Sequence, residues 1–63
     1  MFIEENSEKA ASHKNSGNEF YKNGDTESAI GEYQLALQYT AEEDHRMRSI
    51  LYSNIAINLI KQE

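Results

Sequence analysis

Apolar and small residues recur along this chain at helical spacing. Ala10, Gly17 and Phe20 stand at i, i+7 and i+10, which places them on one helix face. Asn6 or Ser7 supplies an N-cap oxygen ahead of them, and the helix is expected to run to about residue 22. Asn23 and Gly24 end it, because glycine readily adopts the left-handed conformation that closes many helices. Asp25 or Thr26 caps a second helix over about 26–40. Its stripe is Ala29, Tyr33, Ala36 and Leu37, with Ile30 beside it. So short a loop makes the two helices antiparallel neighbours. Gly17 and Ala29 let the backbones approach, and Phe20 and Tyr33 fill the space on either side.

The acidic residues of 41–44 suit the start of a third helix, predicted over about 46–61. Leu51, Ile55 and Leu59, at i, i+4 and i+8, are predicted to pack on the first pair. Ile50, Ile57 and Ile60 add apolar area on other sides, more than two helices can cover. Ile57 and Ile60 are therefore expected to lack an intrachain partner.

Composition narrows the picture. Sixty-three residues make one small domain at most. Without proline and with three glycines, the chain favours helix over sheet. It has no cysteine, hence neither disulfides nor a thiolate metal site. The formal net charge of −5 disfavours nucleic acid or an anionic membrane as main partner, while leaving room for a local basic spot. No apolar run is long enough to span a bilayer, and residues 1–5 lack the basic region of a secretory signal. A cytoplasmic protein is expected.

No arrangement here suggests catalysis. Glu42, Glu43 and Asp44 sit in an exposed connector with nothing to desolvate them. His13 and His45 lie on different segments without metal-ligand spacing. Neither a nucleophile triad nor a phosphate-binding glycine loop can be assembled. The sequence leads to a non-enzymatic protein without metal or cofactor.

Gly17, Phe20, Ala29, Tyr33 and Ala36, with Gly24 in the loop, resemble the tetratricopeptide repeat, a 34-residue helix-turn-helix unit. The repeat would begin at Ala10. His13 and Ser16 replace the usual aromatic and leucine, and Ala41 stands where proline is common. The run from Ser49 to Ala56, with Tyr52-Ser53-Asn54-Ile55-Ala56 inside it, looks like the first helix of a second repeat. The implied fold is all-α, about three helices in an antiparallel helix-turn-helix repeat, a fragment of a right-handed superhelix. Residues 1–9 would extend the first helix, 10–48 form repeat one with an extended acidic connector, and 49–63 form the first helix of an incomplete repeat two.

Lys14-Asn15-Ser16-Gly17-Asn18 is similar to the core of the two-carboxylate-clamp subset of that family. The resemblance implies that Lys14, Asn18 and Asn54 bind a peptide carboxylate. It also implies that the partner is the acidic C-terminal tail, Glu-Glu-Val-Asp, of a heat-shock chaperone. Tyr21 and Asn58 are candidate groove walls. Lys14 and Asn18, at i and i+4, share a face, and their ammonium and amide donors suit carboxylate lone pairs. The clamp's two further basic positions, on a fifth helix, have no counterpart in these residues. The alternative function is a self-associating interaction module, a homodimer through the third helix with no tail ligand.

Overall fold

The computed structural model describes residues 6–62 and consists there of three α-helices: α1 (Ser7–Lys22), α2 (Thr26–Gln38) and α3 (His45–Gln62). Residues 1–5, most of the proposed N-terminal extension, and residue 63 lie outside the described residues. The all-α, helix-turn-helix arrangement expected from the patterning is what these helices form.

Local chemistry sets each boundary. Asn6 Oδ1 accepts from the Lys9 amide at 3.1 Å and starts α1. At its end the Asp25 amide donates to the Phe20 carbonyl at 2.9 Å and the Gly24 amide to Tyr21 at 3.0 Å. This is the paired closure of a Schellman turn, and Gly24, at φ 82°, supplies the left-handed residue it needs. Asp25, rather than Thr26, caps α2 through the Ser28 amide at 3.1 Å. Asp44 does the same for α3 through Met47, also at 3.1 Å.

Helix α2 is the middle element. It packs against both α1 and α3, whereas α1 and α3 barely meet. Ala29, Tyr33, Ala36 and Leu51 form the buried core, flanked by Phe20, Tyr21, Leu37, Met47 and Ile55. Fully burying a leucine such as Leu51 contributes about 1.5–3 kcal/mol. Gly17 is buried directly beneath Tyr33: a β-carbon there would lie 2.6 Å from Tyr33 Cε1. The two residues stack, where the spacing alone sets Tyr33 to one side.

One packing expectation is corrected. Leu59 does not join Leu51 and Ile55 in the core but is 52% exposed, and Asn58 takes the inward place at 1%. Helix geometry gives the reason. At 3.6 residues per turn, position i+7 falls about 20° from position i, and i+8 about 80° away. The face that carries Leu51 inward therefore carries Asn58 with it, although Leu59 is the more apolar side chain.

No helix among the described residues is long and apolar enough to cross a membrane.

Candidate functional site

Two helix faces confront each other across α2. On α1 the face is Lys14, Asn18 and Tyr21, at i, i+4 and i+7. On α3 it is Asn54, Ile57, Asn58 and Lys61, at i, i+3, i+4 and i+7. Between them lies a depression of about 160 Å³ lined by Asn18, Tyr21, Tyr33, Asn54, Ile57 and Asn58.

Tyr33 reaches this hollow from α2. Its hydroxyl donates to Asn18 Oδ1 at 2.5 Å. That bond fixes which end of the Asn18 amide faces the core and leaves both Nδ2 protons without an acceptor among the described residues. Burial first, and the nearby Tyr21 second, push the Tyr33 hydroxyl above its ordinary value of 10.0, so it stays a protonated donor at neutral pH.

On the opposite wall Asn58 Nδ2 donates to the Asn54 carbonyl at 2.8 Å, one turn back along α3. Asn58 Oδ1 is buried and has no hydrogen-bond partner among the described residues. The bond to Asn54 uses its main-chain oxygen, and the Asn54 side-chain amide makes no hydrogen bond within the described residues. Unpaired amide donors on both walls therefore flank an unpaired buried acceptor.

The cations are placed at the margins. Lys61 Nζ stands 4.5 Å from the centre of the Tyr21 ring, a cation–π contact joining the end of α3 to α1. Lys14 does not line the depression; it sits one turn N-terminal to Asn18 on the same face and forms no salt bridge among the described residues. Helix α3 contains no acidic residue and carries Arg46, Arg48 and Lys61, so it is a basic element in a chain of net charge −5.

Of the residues singled out from sequence, Asn18, Asn54, Tyr21 and Asn58 share the hollow, and Lys14 neighbours it. Asn58 is part of its floor, not an exposed wall. Three participants escape the sequence reading of the site: Tyr33, read only as core; Ile57, read only as uncovered apolar surface; and Lys61. The i, i+3, i+4, i+7 run from Asn54 to Lys61 is the available signal for Ile57 and Lys61. Nothing in the sequence marks the hydroxyl of Tyr33.

Elsewhere, His13 Nδ1 faces Glu32 Oε1 at 2.8 Å, and its ring stacks on Tyr39 with centroids 5.7 Å apart. His13 thus serves the α1–α2 contact. A larger hollow of about 310 Å³ lies at the other end of the helices, where Asp44 is the one charged wall residue among the described residues. Its chemistry does not suit an anion.

No protein-family model, curated protein or solved structure matches this chain.

Proposed function

We propose that this chain is a non-catalytic adaptor of tetratricopeptide type whose groove between α1 and α3 holds the C-terminal carboxylate of an acidic peptide. Its partner on this reading is the acidic tail of a heat-shock chaperone, met in the cytoplasm. The observation that carries the proposal is the convergence of Asn18 and Asn54 on one hollow, with amide donors free on both. Carboxylates are acceptors only, with about four lone-pair sites, so amide donors and a nearby ammonium are what they require. Lys14 and Lys61 supply positive charge on either side. Attraction and orientation then come from charge-assisted hydrogen bonds, and Ile57 and Tyr21 give the peptide an apolar surface.

A peptide ending in Glu-Glu-Val-Asp should shift the amide and side-chain NMR signals of Lys14, Asn18 and Asn54 first. Expected affinity is about 0.1–1 mM, equivalent to roughly 4–5.5 kcal/mol. Added salt should weaken it, since screening acts on exposed lysines. Equal binding by the C-terminally amidated peptide would rule the carboxylate reading out.

A second reading is self-association through α3. Tyr52, Leu59 and Ile60 are 54%, 52% and 68% exposed and lie with Ala56 on one face of that helix. On this reading the chain is a structural module, and α3 supplies a two-fold dimer interface.

A further inference from the structure

The unpaired oxygen of Asn58 deepens the carboxylate reading, and its role rests on that reading. A buried acceptor without a donor is uncommon, and each instance calls for a partner. Here the side chain is 1% exposed, lines the hollow, and is oriented by its own Nδ2 bond to the Asn54 carbonyl. That bond commits the nitrogen, so the oxygen is the atom left over. Among the described residues no donor takes it.

The surrounding groups define a pattern. Asn18 and Asn54 offer donors, and Asn58, which lines the same hollow, holds a buried acceptor. A matching ligand presents two acceptor oxygens and, a short distance away, one N–H. The last residue of a peptide has that arrangement: its α-carboxylate and its own amide N–H are attached to one Cα. An isolated carboxylate, such as acetate, lacks the donor and leaves Asn58 Oδ1 unsatisfied.

We infer that Asn58 Oδ1 accepts the main-chain N–H of the ligand's C-terminal residue, so the groove reads a peptide end and not a carboxylate alone. Discrimination arises because the oxygen is already without a donor in the free protein, and only a ligand that carries that N–H relieves it.

The test uses the full chain and three synthetic probes: acetylated Glu-Glu-Val-Asp, its C-terminal amide, and a depsipeptide in which the last N–H is replaced by oxygen. Titration followed by NMR should show the depsipeptide binding about 3- to 10-fold more weakly than the parent. In Asn58→Leu the parent and depsipeptide should bind alike. Should Asn58→Leu fail to fold, the comparison on the unaltered protein still decides. Equal affinity of parent and depsipeptide for the unaltered protein, with the C-terminal amide failing to bind, would overturn the role of Asn58 and leave the carboxylate reading standing. A C-terminal amide that binds as well as the parent would overturn the carboxylate reading instead. Absence of binding by the parent at millimolar concentration would remove both.

Discussion

Tyr33 lies flat against the backbone of Gly17, close enough that a β-carbon on Gly17 would stand 2.6 Å from Cε1 and 2.9 Å from both Cδ1 and Cζ. The ring has nowhere to retreat, since it is 2% exposed and its hydroxyl is tied to Asn18. Gly17→Ala should therefore lose about 1–3 kcal/mol to overpacking, offset by about 0.5–1 kcal/mol of improved helix propensity. Gly31 provides the control: it is also helical, and none of the described residues lies within 4 Å of its would-be β-carbon. Gly31→Ala should gain about 0.5–1 kcal/mol. In thermal melts the two variants should move in opposite directions, by roughly 4–8 °C per kcal/mol. A Gly17→Ala melt matching that of Gly31→Ala would contradict the close contact.

The Tyr33 hydroxyl gives a pH signature. Its folded-state value is raised above 10.0 by burial and by Tyr21. Below that pH both folded and unfolded chains hold the proton, and the full stability is present. Above it the unfolded chain releases the proton while the folded one retains it, so stability falls as pH rises through the folded-state value. Tyr33→Phe should melt lower at neutral pH by the loss of one hydrogen bond, about 0.5–1.5 kcal/mol. It should also show a shallower alkaline decline. Melts of both proteins between pH 8 and about 11 measure this, and parallel alkaline limbs would refute it.

Asn58 sets stability against binding. A buried acceptor without a partner costs about 1–3 kcal/mol, and Asn58→Leu removes it while adding apolar volume at the α2–α3 contact. The hydrogen bond to the Asn54 carbonyl is lost, at about 0.5–1.5 kcal/mol. The variant should be as stable as the parent or up to about 1 kcal/mol more so, and it should bind acidic peptides less well. Chemical denaturation combined with peptide titration checks both halves. Marked destabilisation would mean that the amide is needed for packing alone.

Self-association has its own variant. Leu59→Glu with Ile60→Lys changes two exposed residues that do not line the groove. If α3 forms a dimer, sedimentation should show the parent chain dimeric at hundreds of micromolar and the double variant monomeric. Peptide binding should survive in both. A parent chain that stays monomeric at about 0.5 mM would exclude this interface.

Much of this architecture can be read from spacing. The caps at Asn6 and Asp25 and the closing Gly24 are short-range chemistry, visible as residue types at fixed offsets. The same holds for Ala29, Tyr33 and Ala36, which share a face by period alone. Leu59 is misplaced when hydrophobicity is weighed above angle, because Asn58 occupies the geometrically favoured position. At the candidate site, the shared face of Lys14 and Asn18 is legible from local spacing. The hydrogen bond from Tyr33 to Asn18 is not, because it joins residues of different helices and depends on how they pack. The contact of Lys61 with Tyr21 is non-local for the same reason.

The layering of the helices has a dynamic consequence. The Asn6 amide donates to the Tyr39 carbonyl at 2.8 Å, fastening the beginning of α1 to the end of α2. Helix α3 is held mainly through α2, by a less extensive contact than α1 enjoys. Local opening should therefore begin with α3, whose amides exchange with solvent at a lower free energy than those of the α1–α2 hairpin. The hollow exists only while α3 is docked, because Asn54, Ile57 and Asn58 all belong to it. Any occupant of that hollow acts as a latch, and its signature is slowed deuterium uptake along α3 with little change in the hairpin.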